Sequence, residues 1–424
     1  MKISANANVA RQNLPGLPFI ALLLWLPLAL FAPAFVISGL LILIDQHRKR
    51  TRLQGHVIRT PTSPIRVMHS DVQVYTYGED LYQAMLESIE QAHKHIYLET
   101  FIWKDDAIGW RFKDALTRAV TRGVQVYAIY DTFANLVVPR SFFRTFDKRI
   151  HLLAYPLLAR PFNPFSLATY ARDHRKVLVV DDEIAFLGGY NIGSLYATHW
   201  RDTHVRISGP DAWEVEASFV DFWNTFRTAQ HPKLPPCEAR DWDPYLHFYR
   251  NEPSILTFPI RASYFDAIDR ACKHIYITQA YFIPNRFFLR LLEKAAHHGI
   301  DVRILLPSTS NHVIADWLAR GFYTRCLRSG IRLFLYQDAM VHAKTATVDG
   351  VWSTVGTANI DRLSMLGNYE MNVAIYSTRM AQQMERIFHN DAAHAHELTL
   401  GEWKRRPFAH KCAECLLRPL RPFL

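Results

Sequence analysis

The sequence predicts an α/β chain built from two duplicated halves rich in βαβ units, preceded by an apolar N-terminal segment. The pattern His-x-Lys-x4-Asp occurs twice, beginning at His174 and at His342, and a small-residue turn ending in Asn follows each copy. Strand-like and helix-like stretches alternate in the same order in both halves, which is typical of a layered α/β fold. An uncharged stretch at 17–44 is long enough to enter a membrane.

The two motifs are best explained as copies of one ancestral half. A single separation of 168 positions relates every matched pair, from the histidines to the acids that follow. The candidate catalytic residues are therefore His174, Lys176, Asp181, His342, Lys344 and Asp349, and the candidate supports are Asn191, Asn359, Asp202 and Glu370.

Each motif is predicted to lie on a β-hairpin. The runs KVLVV and KTATV are rich in β-branched residues, which favours strands. Because residues two positions apart on a strand point to the same face, each His should lie beside its Lys. The motif Asp comes where the strand ends, at a turn signal such as Asp349-Gly350. The return strands EIAFLGG and WSTVGTA should then bring Asn191 and Asn359 back toward the histidines.

The chain is predicted to divide into six segments. Their bounds are an N-terminal membrane segment with a basic flank at 1–52, a linker at 53–66, a first half at 67–227, a Pro-rich linker at 228–252, a second half at 253–400 and a basic, aromatic tail at 401–424. Matching strands are predicted at 95–101, 123–131, 273–282 and 299–307, with matching helices at 110–122 and 286–298.

The apolar stretch at 17–44 predicts either one tilted membrane span or a re-entrant hairpin, because Pro27, Pro33 and Gly39 interrupt it. A signal peptide would need a shorter apolar core and a small-residue cleavage site. The cluster at 47–52, which has four Lys and Arg, follows instead. The positive-inside rule then places the catalytic part on the cytoplasmic side of the inner membrane.

Composition limits the partners. The net charge of +10 and the pI near 9.3 favour an anionic partner, for which both nucleic acid and an anionic membrane qualify. Five Cys make no disulfide framework, and Cys412-x2-Cys415 lacks the second pair of a zinc site. We expect no metal and no cofactor, since Lys176 and Lys344 would put a cation beside each His.

Two further stretches leave their roles open. The apolar, Pro-broken loop at 155–170 precedes the first motif directly, and is either packed under the sheet or lines a path for acyl chains. The tail at 401–424 mixes Trp and Phe with six Lys and Arg, which favours interfacial anchoring over a frayed terminus.

The residue types predict phosphodiester chemistry. A neutral imidazole can attack an anionic phosphorus, and a second imidazole can protonate the leaving alkoxide. Two Lys and two Asn can stabilise the phosphoryl oxygens. Asp202 and Glu370 each lie 28 residues beyond the His of their own half, and we expect each to fix the tautomer of that His. Asp181 and Asp349, at strand ends, are expected to pair with backbone donors or the opposite half.

The doubled motif, with its Gly-rich turn and Asn, resembles the phospholipase D superfamily over about 67–398. The stretches HIYLETFIW and ITQAYFIP and the apolar N-terminus resemble bacterial cardiolipin synthases, although Arg362, Leu363 and Ser364 stand where many relatives carry Arg-Ser. The resemblance implies two phospholipase D-like halves packed with pseudo-twofold symmetry, His174 as nucleophile and His342 as acid and base.

The narrower resemblance implies a membrane-bound phosphatidyltransferase. It would join two phosphatidylglycerol molecules into cardiolipin and release glycerol through a phosphatidyl-histidine intermediate. The preferred partners are then phospholipids of an anionic membrane and not nucleic acid. The alternatives are a phospholipase D-type hydrolase, which uses water as acceptor, and a membrane-tethered nuclease or phosphodiesterase. The oligomeric state is not predicted.

Overall fold

Each half of the chain contributes one eight-stranded sheet to the computed structural model, which describes residues 32–47, 57–159, 162–163, 166–238, 243–337 and 339–423. The first sheet contains β1 Ile65–Val67, β2 Ser70–Tyr75, β3 His95–Thr100, β4 Gln125–Asp131, β5 His151–Tyr155, β6 Val177–Val180, β7 Ile184–Gly188 and β9 His204–Ser208. Its order is β1-β2-β9-β7-β6-β3-β4-β5.

The second sheet repeats this arrangement. It contains β10 Leu246–Asn251, β11 His274–Gln279, β12 Asp301–Pro307, β13 Arg332–Tyr336, β15 Lys344–Val348, β16 Trp352–Gly356, β17 Glu370–Tyr376 and β18 Ala395–Leu398, in the order β10-β17-β16-β15-β11-β12-β13-β18. In the first sheet, β3 pairs in parallel with β4 and antiparallel with the motif strand β6. In the second sheet, β11 pairs in the same way with β12 and with the motif strand β15. The shared topology confirms the internal duplication.

The described helices surround the sheets. They are α1 (32–47), α2 Gly78–Glu90, α3 Ala107–Thr121, α4 Arg140–Arg144, α5 Leu167–Tyr170, α6 Ser194–Thr198, α7 Ala212–Phe226, α8 Pro259–Asp269, α9 Arg286–His297, α10 Val313–Arg328, α11 Arg362–Leu366, α12 Thr378–Ala393, α13 Leu400–Lys404 and α14 Phe408–Leu416, with short 3₁₀ helices at Pro253–Ile255 and Arg418–Phe423. Helices α3 and α9 correspond to the two predicted helices.

Capping explains where these two helices begin. The Asp106 carboxylate accepts a hydrogen bond from the Gly109 amide at 3.0 Å, and Asn285 Oδ1 accepts one from the Phe288 amide at 2.9 Å. Helix α3 therefore begins three residues before the predicted start, at the residue that follows its N-cap.

The two sheets face each other across a continuous apolar core. Side chains from β6, β7 and β9 share one cluster with side chains from β16 and β17, among them Leu187, Val205, Val355 and Val373. Helices α7 and α12 pack in the same interface. The outer face of the first sheet packs against α2 and α3, and that of the second against α8, α9 and α10. This face-to-face arrangement brings the two motifs toward one another.

Both predicted linkers contain residues of a strand. Strand β1 falls partly within the predicted linker at 53–66, and β10 falls within the predicted linker at 228–252, where it pairs with β17. The tail at 401–424 is not frayed in its described part, because α13 and α14 pack on α10 and Trp403 is buried, with its indole donating to Thr324 at 2.9 Å. Short strands flanked by Pro carry too weak a periodic signal to be separated from a linker.

The predicted membrane segment lies only partly within the described residues. Residues 17–31 and most of the basic flank fall outside them. Helix α1 packs Ile37 and Leu41 against the core of the second half and exposes Phe35, Val36 and Leu43. Among the helices that the structure describes, none is both long and apolar enough to span a bilayer.

Candidate active site

Each motif forms the hairpin that its sequence predicts, and its Asp holds the turn. Asp181, Asp182 and Asp349 adopt positive φ angles of 54°, 63° and 54°, as the tight turns between β6 and β7 and between β15 and β16 require. The Asp181 carboxylate accepts hydrogen bonds from the amides of residues 93–95 at 2.7, 2.7 and 3.0 Å. Asp349 accepts from the amides of residues 272–274 at 2.7, 2.8 and 2.9 Å.

These aspartates therefore anchor the segment that leads into β3 or β11. They lie at the far end of the motif strand from the histidines, since His174 precedes β6 and Asp181 follows it. The structure thus separates Asp181 and Asp349 from the groups that meet at the interface between the halves, and it corrects their placement among the catalytic residues.

The two histidines meet at the interface between the halves, and each is held by the acid of the opposite half. His174 Nδ1 lies 3.0 and 2.9 Å from the two carboxylate oxygens of Glu370. His342 Nδ1 lies 2.6 Å from Asp202 Oδ2. The expectation that each acid serves the His of its own half is therefore wrong, because the supports are exchanged between the halves.

Backbone pairing between the halves explains the exchange. The two-residue strands β8 Trp200–Arg201 and β14 Met340–Val341 pair in parallel, and the His342 amide donates to the Arg201 carbonyl at 2.7 Å. In the symmetric position, the His174 amide donates to the Tyr369 carbonyl at 3.0 Å. Because Arg201 and Tyr369 immediately precede the acids, each bridge sets an acid beside the His of the other half.

The two motif lysines are buried among these groups. Lys176 donates to the carbonyl of His174 at 2.6 Å. Lys344 donates to the carbonyl of His342 and lies 3.0 Å from the Nε2 atom of that His. Two ammonium groups with little exposure are costly to bury unless anions lie beside them, and here Asp202 and Glu370 supply negative charge. The arrangement fits a bound phosphoryl group.

The two Asn side chains are buried beside the turns that end the return strands. Asn191 Oδ1 accepts a hydrogen bond from the Ile102 amide at 3.2 Å, which fixes the orientation of its carboxamide. Asn359 is also buried, and its Oδ1 has no hydrogen-bond partner among the residues that the structure describes. Both return strands therefore bring Asn to the end of the sheet where the histidines lie.

The two acids are supported differently, and sequence reasoning missed these supports. The hydroxyls of Thr357 and Ser364 donate to the Glu370 carboxylate, the first at 2.5 Å. The first half has Gly189 at the position of Thr357, and a Cβ there would lie 2.1 Å from Asp202 Oδ1. The Glu370 carboxylate is thus held by hydroxyl groups, whereas the Asp202 carboxylate occupies the space that Gly189 leaves.

Aromatic rings surround both imidazoles. Phe101 meets the His174 ring edge-on with centroids 4.8 Å apart, and Trp200 lies 4.9 Å from the His342 ring, with Tyr281 at 6.2 Å. Phe101 and Tyr281 belong to the stretches HIYLETFIW and ITQAYFIP, so the signal was present in the sequence without indicating this role. These rings reduce the space for water around the nitrogens.

Burial keeps both imidazoles neutral. Burial and the neighbouring Lys176 and Lys344 hold the pKa of His174 well below its ordinary value. Burial and Lys344 lower the pKa of His342 to about 3. A neutral imidazole whose Nδ1–H faces a carboxylate has its lone pair on Nε2, which is the state required of a nucleophile or base.

The remaining charges in the cavity are also shifted. Burial lowers the pKa of Lys176 to about 7 and that of Lys344 to about 8. Burial raises the pKa of Glu370 to about 8. Burial also pushes the pKa of Asp202 upward, but Lys344 and His342 outweigh it, so the pKa lies below its ordinary value. A site with several groups titrating near neutrality is typical of acid and base catalysis.

Replacing Gly189 by Ala should separate Asp202 from His342. The added Cβ would overlap a carboxylate whose backbone is fixed by pairing, so the carboxylate must turn away. We expect kcat to fall by about 10² or more, in line with the loss of an imidazole-orienting acid. Steady-state kinetics test this, with Gly401→Ala as a control at an exposed glycine whose added Cβ would meet only Thr399 Oγ1, at 3.9 Å. Unchanged kcat in Gly189→Ala would contradict the orienting role of Asp202.

Two duplicated halves, with exchanged His–acid pairs and two buried lysines at their interface, define a phosphodiester-processing enzyme of the phospholipase D type. The family described as cardiolipin synthase, PLD-like domain, matches residues 85–223 and 264–392. The chain belongs to this family of cardiolipin synthase, PLD-like proteins.

Curated relatives cover most of the chain. The cardiolipin synthase of Listeria welshimeri is 30% identical over 395 residues, which cover 90% of this chain and 81% of the relative. The major cardiolipin synthase of Bacillus subtilis is 31% identical over 369 residues, which cover 84% of this chain and 76% of the relative. These relatives place the chain among the phosphatidyltransferases of the superfamily.

A solved structure shares the fold. The phosphatidylserine synthase of Haemophilus influenzae superposes with a TM-score of 0.66 at 13% identity, covering 89% of this chain and 97% of that one. The likeness extends over both halves, and so supports the two-sheet architecture described above.

Proposed function

We propose that this protein joins two phosphatidylglycerol molecules into cardiolipin and releases glycerol, through a covalent phosphatidyl-histidine on His174. The observation that carries the proposal is the pair of neutral imidazoles, one from each half, held by exchanged acids around two buried lysines. The named activity of the relatives supplies the substrate class.

The first step forms a phosphorus–nitrogen bond and breaks a phosphorus–oxygen bond. With its Nδ1–H directed at Glu370, His174 presents the Nε2 lone pair to the phosphorus of the first lipid. The glycerol oxygen leaves with a proton from His342. The phosphodiester brings a negative charge among the lysines and so raises the pKa of His342, which takes up this proton from solvent when the lipid binds, before the phosphorus–oxygen bond breaks.

The second step reverses the roles. His342 accepts the proton from a hydroxyl of the second phosphatidylglycerol, and that oxygen attacks the phosphorus of phosphatidyl-His174. The phosphorus–nitrogen bond breaks and cardiolipin leaves. Throughout, Lys176 and Lys344 neutralise charge on the non-bridging oxygens. Water in place of the second lipid would give phosphatidic acid, so the enclosing rings Phe101 and Trp200 favour transfer over hydrolysis.

An exposed apolar surface beside His174 supports a lipid substrate. We call it the apolar rim; it consists of Phe133, Leu136, Val137, Leu157 and Leu158, from the segments that follow β4 and β5. Val137 is 80% exposed and Leu136 is 60% exposed. Apolar groups this exposed in a cluster are typical of interaction surfaces.

Arg172 ties the apolar rim to the nucleophile. Its guanidinium donates to the carbonyls of Pro156 and Leu157 at 3.2 and 2.7 Å and lies 5.8 Å from the Phe133 ring centroid. Arg172 is two residues before His174, so the segment that carries the reacting nitrogen also contacts the rim. We propose that the rim receives acyl chains, which favours the acyl-lining role for the loop at 155–170.

The N-terminal part supports a location at the membrane. Helix α1 exposes Phe35, Val36 and Leu43, and its residues 32–44 form the second part of the uncharged stretch at 17–44. We propose that this stretch anchors the enzyme in the inner membrane and that the following basic cluster keeps the catalytic part against anionic lipid on the cytoplasmic side. The tail would add interfacial contacts through Phe408, which is 79% exposed.

Purified protein in mixed phosphatidylglycerol–detergent micelles tests the proposal. We expect cardiolipin and free glycerol in equal amounts by mass spectrometry and enzymatic glycerol assay. Phosphatidic acid as the main product would show that the protein is a hydrolase and not a transferase. Cleavage of a single-stranded oligonucleotide, with phosphatidylglycerol left intact, would instead establish a nuclease.

The reaction should slow as pH rises through neutrality. Lys176 stabilises the phosphoryl oxygens only when protonated, and burial lowers its pKa to about 7. We therefore expect log kcat/KM to decline above about pH 7. In Lys176→Arg, whose guanidinium stays charged, the decline of the residual activity should begin only above about pH 8, where Lys344 loses its proton. A pH–rate profile of both proteins tests whether Lys176 causes the decline. The same alkaline decline in the parent and in Lys176→Arg would show that another group causes it.

A further inference from the structure

A second cluster of metal-ligand side chains lies away from the catalytic cavity, at the opposite end of the first sheet. It consists of His95 at the start of β3, Asp182 in the turn after β6 and Glu216 on α7. One ligand atom from each lies within 4.8 Å of the others. His95 Nε2 is 2.8 Å from Asp182 Oδ1 and 3.7 Å from Glu216 Oε1.

The His95 nitrogen is buried and makes no hydrogen bond within the part of the chain that the structure describes. Its separation from Asp182 is short enough for one, so the angles are what fail. A ring nitrogen that lies near two carboxylates without forming a regular hydrogen bond with either is suited to bind an ion shared with them.

The duplicated half provides the comparison. His274 occupies the position of His95, and both rings stack on a Tyr two residues on, with centroids 4.6 and 4.4 Å apart. His274 Nε2 forms a regular hydrogen bond with Glu385 at 2.6 Å. Gly350 stands where the first half has Asp182, so this pair has one acid only. The stacked His is common to both halves, and the second acid is particular to the first.

A thiol adds a fourth donor. Cys237, in the connection between the halves, lies close enough to Glu216 and Asp182 that their charges, after burial, raise the pKa of its thiol. Four-coordinate zinc binds imidazole nitrogen at about 2.0–2.1 Å, carboxylate oxygen at about 2.0–2.2 Å and thiolate sulfur at about 2.3 Å. Tetrahedral geometry then separates nitrogen and oxygen ligands by about 3.3 Å, between the two distances from His95 Nε2.

We propose that His95, Asp182, Glu216 and Cys237 bind one structural divalent transition ion of the zinc type. The ion would join the turn after β6, the start of β3 and helix α7 to the connection between the halves. This site is separate from the phosphoryl chemistry, so its test does not depend on the proposed transferase activity.

Metal titration of the full chain, stripped with a chelator, tests the proposal. Co²⁺ serves as the spectroscopic probe and Zn²⁺ as the competitor. We expect the visible bands of tetrahedral Co²⁺ and a thiolate charge-transfer band, both lost on adding one equivalent of Zn²⁺. Zn²⁺ should also raise the midpoint of thermal unfolding.

Variants assign the ligands. His95→Gln and Glu216→Gln should each weaken Zn²⁺ binding at least about tenfold. Cys237→Ser should remove the charge-transfer band and keep the visible bands. Glu385→Gln, in the matching pair of the second half, and Cys412→Ser, in the tail, should bind as the parent does. Circular dichroism of the stripped proteins checks that each variant folds. No Co²⁺ spectrum in the parent, or equal binding by folded His95→Gln and Glu385→Gln, would overturn the proposal.

Discussion

His174→Ala should lower phosphatidyl transfer by about 10⁴-fold or more, because it removes the atom that bonds to phosphorus. The fold should survive, since the backbone bond from residue 174 to Tyr369 does not need the side chain. Radiolabelled phosphatidylglycerol measures the residual rate, and acid-labile label on the protein measures the intermediate. His298→Ala, an exposed His remote from the site, is the control.

His342→Ala should behave differently from His174→Ala. With phosphatidylglycerol we expect a loss of about 10²–10⁴-fold, the range for removing a general acid. A phosphatidyl ester of p-nitrophenol needs no proton on its leaving group, so His342→Ala should release p-nitrophenol at close to the parental rate in the first turnover. His174→Ala should release none. Normal cardiolipin formation by His342→Ala would refute the two-histidine scheme.

Asp391→Ala should produce the largest loss of stability. Arg201 donates to the two carboxylate oxygens of Asp391 at 3.0 and 2.8 Å, and both side chains are 1% exposed. Removing one partner leaves an uncompensated buried charge, which costs about 3–5 kcal/mol in the free energy of unfolding. Because the Arg201 carbonyl also receives the His342 amide, activity should fall with stability.

An exposed ion pair supplies the matched control for this measurement. Arg332 bonds both oxygens of Glu397 at 2.7 and 2.8 Å, but the two side chains are 41% and 42% exposed. Glu397→Ala should cost about 0–1 kcal/mol. Urea unfolding of both variants gives the comparison, and equal losses would show that burial of the Arg201–Asp391 pair does not matter.

The duplication made much of the fold predictable. Matched spacing of His174 and His342 and of Asn191 and Asn359 implied two equivalent hairpins. Seven of the eight strands in each sheet follow the same order, and the eighth strands, β1 and β18, lie at opposite edges. Positions of helices α3 and α9 followed from apolar periodicity. Helix α9 begins at the predicted Arg286, whereas the start of α3 was placed three residues late, because the capping carboxylate of Asp106 cannot be told from an ordinary surface acid until its amide partner is seen.

Which acid supports which His could not be read from the sequence. Asp202 and Glu370 lie at the same spacing from their own histidines, so pairing within a half and pairing across halves have identical patterns. The choice is made by the parallel bridge of β8 and β14, which are two residues each and carry no strand signal. Thr357 and Gly189 were missed for the same reason, since their roles depend on the acids they contact.

The exchanged pairing is the central claim, and double substitution tests it most directly. Asp202 acts through His342, so with the p-nitrophenyl ester Asp202→Asn should add nothing in the His342→Ala background. Glu370→Gln in that background should lower the first-turnover rate by at least about 10²-fold, because it disturbs His174. Equal effects of Asp202→Asn and Glu370→Gln, or a loss with Asp202→Asn alone, would contradict the exchange of acids between the two halves.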